Sequence, residues 1–137
     1  MSVYLDSSAI IKRVVQERES EAFERALAEW SRDEPAQTSL LAEVEVSRAL
    51  RRRLDIDVDY VDIRDAVDEA FGDLVIHPID AEVIRTARII DPPVLRSLDA
   101  IHLATAVLIG AEAIVTYDVR LADAAAAVGL VAIAPRG

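Results

Sequence analysis

Asp6, Glu45, Asp99 and Asp118 each stand beside an apolar segment, and they are the side chains of this sequence best suited to do chemistry together. Hard divalent cations such as Mg²⁺ and Mn²⁺ take oxygen ligands in octahedral geometry, and Mg²⁺ needs only one or two protein carboxylates because it keeps several waters. Waters so held can become nucleophiles. In phosphodiester hydrolysis one cation lowers the pKa of the attacking water, and a second, where present, stabilises the leaving oxygen. Carboxylates drawn together from distant segments repel one another, and a cation is the chief relief. Taken alone, Asp6 ahead of Ser7 and Ser8 reads as a helix cap. The joint pattern reads as a dispersed acidic site that folding assembles.

The elements that must position these groups follow from local periodicity. Val3 to Leu5 read as a short buried strand, so Asp6 falls at its carboxyl end, the edge where open α/β sheets bind ligands. A helix is expected from Ser7 to Val15, started by Ser7 or Ser8, and another from Ser20 to Trp30 with Phe23, Ala26, Leu27 and Trp30 on one stripe. The longest helix is expected from Ser39 to Leu54, capped by Thr38 or Ser39 and ending in Arg51-Arg52-Arg53, where cations complement the dipole. Val61 to Phe71 form a further helix, closed by Gly72 at the C′ position. Leu74 to Pro78 are a strand halted by proline, followed by a helix from Ala81 to Ile90. Asp99 sits in the first turn of a helix from Ser97 to Leu108. Ala113 to Thr116 make a strand ending near Asp118, Leu121 to Val128 a last helix closed by Gly129, and Leu130 to Ile133 a final strand. Strands alternating with helices imply a parallel sheet covered on both faces.

Bulk properties bound the function. A length of 137 residues fits one domain, 1–137, with a single core, and 53% hydrophobic residues can fill it. A formal net charge of −10 argues against a protein that simply coats nucleic acid. Work on RNA would need bound cations, a basic partner or a local run such as Arg51-Arg52-Arg53. The absence of cysteine excludes disulfides, thiolate zinc sites and a cysteine nucleophile. With no signal-peptide pattern and no apolar run of membrane-spanning length, the expectation is a soluble cytoplasmic protein without membrane contact.

Four segments carry a resemblance: Val3-Tyr4-Leu5-Asp6-Ser7-Ser8-Ala9, Glu45-Val46-Ser47-Arg48-Ala49-Leu50, Leu98-Asp99-Ala100-Ile101-His102-Leu103-Ala104-Thr105-Ala106, and Val115-Thr116-Tyr117-Asp118-Val119-Arg120-Leu121. In order and spacing they resemble the acidic motifs of PIN-domain ribonucleases, most closely the VapC-type toxins of bacterial toxin–antitoxin pairs. The resemblance implies a three-layer α/β/α sandwich with a central parallel sheet. It also implies Mg²⁺- or Mn²⁺-dependent cleavage of RNA, homodimerisation, and neutralisation by a VapB-type antitoxin. By the same resemblance Asp6 and Asp99 are the principal metal ligands, Glu45 and Asp118 complete the cluster, and Thr116 and Ser7 support it.

Competing readings separate on particular residues. Glu43 cannot share a helix face with Glu45, and the string around Glu45 places that residue in the site. His102, one turn after Asp99, is read as packing rather than as a general base, because a metal mechanism needs no imidazole. His77 and Asp123 receive no role. Arg96 and Arg120 adjoin two acidic motifs and are the candidate phosphate contacts, while Arg48 to Arg53 face RNA, a partner or solvent. Aspartyl-phosphate chemistry of the haloacid-dehalogenase type wants a second Asp where Ser8 stands, and a receiver domain wants an acidic pair beside the first strand. The remaining rival is a PIN-like module that binds protein or RNA without catalysis.

Overall fold

The computed structural model describes residues 1–53 and 59–137. Five strands, β1 (Val3–Leu5), β2 (Gln37–Ser39), β3 (Val75–His77), β4 (Ala113–Val115) and β5 (Val131–Ile133), form one sheet in the order β3-β2-β1-β4-β5. Every pairing is parallel. The chain builds outward from β1 in one direction to β2 and β3, then returns to place β4 and β5 on its other side. The crevice at such a reversal lies outside the carboxyl ends of the strands. Asp6 follows β1 there, and Thr116 to Asp118 follow β4.

Period-two alternation splits the sheet residues between two cores. Val3, Leu5, Ala113 and Val115 face α1 (Ser7–Val14), α2 (Ser20–Trp30), α3 (Leu40–Arg53) and α4 (Tyr60–Phe71), with Ile10, Phe23 and Val46 fully enclosed. Tyr4 and Ile114 face the opposite way, onto α6 (Ser97–Leu108) and α7 (Val119–Ala127). The short α5 (Ala81–Ala87) packs along α6. The result is the three-layer α/β/α arrangement expected from the sequence. Among the described residues no helix is long and apolar enough to cross a membrane.

Several local expectations are corrected. Gln37–Ser39 is a strand, where Thr38 and Ser39 read only as caps; Ser39 Oγ accepts from Leu41 N–H, but the Thr38 hydroxyl donates to the Leu5 carbonyl at 2.7 Å. A three-residue polar segment has no period long enough to read, and its pairing with β1 and β3 decides its state. The cap of α1 is Asp6, not Ser7 or Ser8. Helix α7 begins at Val119, two residues early, because Asp118 caps it, and α5 stops at Ala87, three residues before Ile90. Gly72 ends α4 at φ −62°, in ordinary helical conformation rather than as a left-handed C′ residue. The left-handed glycines are Gly110 and Gly129, each closing a helix with the paired 6→1 and 5→2 bonds of a Schellman motif. Leu54, the expected end of the longest helix, lies outside the described residues.

One ion network ties α1 to neighbouring segments. Lys12, nearly buried, donates to Glu17 at 2.9 Å and Glu19 at 3.0 Å, and Arg53 reaches Glu17 at 2.6 Å. Bonds from Lys12 and then Arg53 hold the Glu17 carboxyl below its ordinary value. A carboxyl depressed in the fold stabilises it above the unfolded pKa, and that contribution is lost as pH falls through the folded value. Glu17→Gln is therefore expected to lower stability at pH 7 by about 1.5 kcal/mol and to shrink that difference toward zero below the carboxylate range. Urea unfolding at pH 7 and pH 3 checks it.

Candidate metal centre

Asp6 is the most enclosed of the four acids, at 4% exposure. Its Oδ1 caps α1 by accepting from Ala9 N–H at 3.0 Å and also takes the Ser8 hydroxyl at 2.7 Å. Its Oδ2 takes the Thr116 hydroxyl at 2.5 Å. Burial pushes this carboxyl up, and His102, Thr116, Ser8 and the Ala9 amide pull against that. Thr116 in turn accepts from Asp118 N–H at 3.0 Å, so one hydroxyl links two of the acids.

Glu45 arrives from the first half of α3. Its Oε1 accepts from Ser7 at 2.5 Å and meets His102 Nε2 at 2.5 Å. Burial opposes its ionisation, but the His102 bond and charge and the Ser7 bond outweigh that and hold the carboxyl below its ordinary value. His102 is 2% exposed and its Nδ1 lies 2.7 Å from the Tyr4 hydroxyl. The sequence reading of His102 as packing is incomplete: a buried Tyr4–His102–Glu45 chain crosses from the sheet through α6 to α3. The spacing of His102 from Asp99 was the available signal, but its partners are remote in sequence. Ser8, passed over in favour of Ser7, was also missed; a hydroxyl two residues after an Asp cap could have marked it.

Asp99 is half-buried in the first turn of α6. Burial raises its carboxyl, the Asp118 charge adds to this, His102 opposes, and Asp6 and Glu45 add further. Charge on the other three acids thus reaches Asp99. Asp118 caps α7, its Oδ1 accepting from Arg120 N–H at 2.9 Å and Leu121 N–H at 3.1 Å. Asp99 and Asp118 line an open cleft of about 370 Å³ with Val119, Arg96 and Arg120. An apolar trough lined by Pro92, Val94, Leu95, Ala124 and Ala127 adjoins it and shares Arg96, Asp99 and Arg120. Glu43 makes no hydrogen bond among the described residues, His77 pairs with Gln37 at 2.8 Å, and Asp123 is exposed.

The donor set fits a hard cation by its chemistry. Oδ2 of Asp118, Oε2 of Glu45 and both oxygens of Asp99 accept no hydrogen bond among the described residues. Their mutual repulsion is what a divalent ion relieves. Among the described residues no three His, Cys, Asp or Glu side chains stand close enough to enclose an ion. Glu45 is turned to His102 and Ser7, and Asp118 to its own helix. Such spacing suits an ion that keeps much of its water.

The PIN domain family model matches residues 3–127. Ribonuclease VapC35 of Mycobacterium tuberculosis is 41% identical over 140 residues, covering 97% of this chain and 96% of that protein. Among solved structures, M. tuberculosis VapC20, a Sarcin-Ricin loop cleaving toxin, matches with TM-score 0.72 at 18% identity, over 98% of this chain and 100% of that one. VapBC2 from Rickettsia felis, bound to a DNA fragment from its promoter, matches with TM-score 0.76 at 11% identity, over 98% and 99%. These two likenesses speak to the fold.

Thr116→Val would leave Asp6 Oδ2 buried without its donor, so it is expected to cost about 1–3 kcal/mol at pH 7. Thr116→Ser keeps the hydroxyl and should recover most of that. Urea unfolding of both variants checks the pair.

Proposed function

The chain belongs to the PIN-domain family, among the VapC-type ribonucleases, and from that premise we propose that Asp6, Glu45, Asp99 and Asp118 are the site at which it cleaves RNA with a divalent cation. It is an endoribonuclease of the toxin type. The observation that supports the site assignment is geometric: the Thr116 hydroxyl joins Asp6 to the Asp118 amide, and Asp118 lines one cleft with Asp99. Mg²⁺ or Mn²⁺ is the ion that the oxygen-only donors favour, and residues 1–137 act as one nuclease domain.

A divalent cation bound here would supply charge that lowers the pKa of an attacking water and offsets charge on the phosphate. Asp6 and Asp99 would hold it as principal ligands. Ser8, Thr116 and the Ala9 amide hold the Asp6 carboxylate in one orientation, so its geometry is fixed before substrate arrives. His102 and Ser7 hold Oε1 of Glu45 and leave Oε2 to orient water. Asp118, anchored through Oδ1, completes the cluster through its other oxygen. Arg96 and Arg120, exposed at the rim of the same cleft, hold phosphate oxygens of the RNA.

The protein works in the cytoplasm as a homodimer, and its partner is a VapB-type antitoxin. The apolar trough beside the cleft gives an antitoxin segment a surface to cover, and the acidic cluster would accept an Arg from it.

Purified protein is expected to cleave structured RNA with Mg²⁺ or Mn²⁺. Asp6→Asn and Asp99→Asn should each lower the rate by about 100-fold or more, the scale of about 3 kcal/mol or more in the barrier. The cation should also raise the thermal midpoint of wild type by several degrees and move neither variant comparably. Equal cleavage by all three proteins would sink the site, and no cleavage by any would favour the non-catalytic module. Expression in bacteria should arrest growth, and co-expression of the adjacent reading frame should relieve the arrest; unchanged arrest and RNA cleavage would count against the antitoxin.

A further inference from the structure

Acidic residues outnumber basic ones by 25 to 15 in this molecule, and the structure does not spread the positive charge evenly. Helix α3 carries Glu45 and, beyond it, Arg48, Arg51 and Arg52, which line a hollow of about 280 Å³. All three arginines are exposed. Their neighbour Arg53 is tied to Glu17 at 2.6 Å, whereas among the described residues Arg48, Arg51 and Arg52 pair with no carboxylate. The helix dipole explains cations in a last turn. It does not explain Arg48, which sits well before the end of a 14-residue helix. Guanidinium groups gathered around one hollow repel each other unless an anion lies between them.

The placement relative to Glu45 says which anion. Arg48 and Arg52 stand three and seven residues after Glu45, on one stripe of the helix. At 1.5 Å per residue they lie about 4.5 and 10.5 Å along the axis from it. Each arginine on this stripe stands further from the acidic cluster than the one before, which suits a strand whose phosphates run away from that cluster. Guanidinium forks match phosphate oxygens two at a time.

We propose that Arg48, Arg51 and Arg52 form a subsite for the phosphodiester backbone of substrate RNA, beside the bond held at the acidic cluster. The subsite gives an acidic protein a local hold on a polyanion that its net charge of −10 would otherwise repel. It rests on the nuclease reading above, and binding measured without cleavage keeps the two apart.

The test is fluorescence anisotropy of a labelled 12-nucleotide single-stranded RNA in EDTA, between 25 and 200 mM KCl. Four proteins are compared: wild type, Arg48→Ala/Arg51→Ala/Arg52→Ala, the same three changed to Lys, and a charge-matched Arg32→Ala/Arg85→Ala/Arg88→Ala control, with melting curves to verify folding. The first alanine variant is expected to lose at least about tenfold in affinity at 50 mM salt. Its log–log salt slope should become shallower by about 2, from roughly 0.7 for each of three phosphates. The lysine variant should keep the slope, and the control should stay within about twofold of wild type. Unchanged binding in the first variant overturns the subsite, as does an equal loss in the control, which would mean bulk charge alone. Retained RNA binding with lost affinity for an acidic protein partner also overturns it. Wild type that binds RNA through the arginines yet cleaves none with Mg²⁺ or Mn²⁺ supports the subsite and sinks the enzyme reading instead.

Discussion

A carboxylate buried to 4% exposure at the end of a central strand is the constraint on which the rest of this structure depends. Charge in such a place is costly unless fixed donors meet it. The donors for Asp6 come from the first turn of α1 and from Thr116, 110 residues away beyond β4. Pairing of β1 with β4 therefore does more than close the sheet. In the observed register Leu5 lies opposite Val115, which sets Thr116 beside Asp6. A shift of β1 by one residue would turn Val3 and Leu5 to the wrong core and take Asp6 away from that hydroxyl. Apolar packing on both faces thus holds the register that makes the buried acid tolerable.

Alternation along β1 links the two layers of helices to one site. Leu5 enters the core under α1 and α3, while Tyr4 turns to α6 and bonds His102. His102 then reaches back across the sheet edge to Glu45 on α3. The acids consequently report on both layers at once: Asp6 on the sheet, Glu45 on one layer, Asp99 and Asp118 on the other. Fixed donors hold three of them, while Asp99 accepts no side-chain hydrogen bond among the described residues and is raised by burial and by the charge of its neighbours. That asymmetry fits a site in which some carboxylates are prearranged and one answers to a cation.

Charge outside the site follows a similar economy. Lys12 is held by two glutamates and lies over the Tyr117 ring at 4.6 Å, while the Tyr117 hydroxyl donates to the Pro135 carbonyl. Tyr117 stands between Thr116 and Asp118, so this packing braces the segment that carries them. Arginines committed to carboxylates, such as Arg13 and Arg53, serve the fold, while Arg96 and Arg120 face solvent at the cleft.

How much of this was legible beforehand varies with the range of the interaction. The bounds of the long helices Ser20–Trp30 and Ser97–Leu108 were read to the residue, because runs of helix-forming residues are local; the face that α6 buries was not, since Leu98 and Leu108 are exposed while Ala100, His102 and Leu103 are enclosed. The strand Gln37–Ser39 was not, because a short polar segment becomes a strand only through partners on both sides. Asp118 was legible as an acid after a strand, but its capping of α7 depended on a helix starting two residues earlier than the apolar pattern indicated. By itself the sequence determined the layer architecture, the order of the acids and the places of Asp6, Asp99 and Asp118 at element ends, since periodicity and spacing are properties of the chain. Only the tertiary structure decided that His102 joins Tyr4 to Glu45, that Ser8 and Thr116 share Asp6, and that three arginines of α3 line one hollow. Hydrogen bonds and charge fields act through space over a few ångströms, and the residues they join are up to 110 positions apart in the chain.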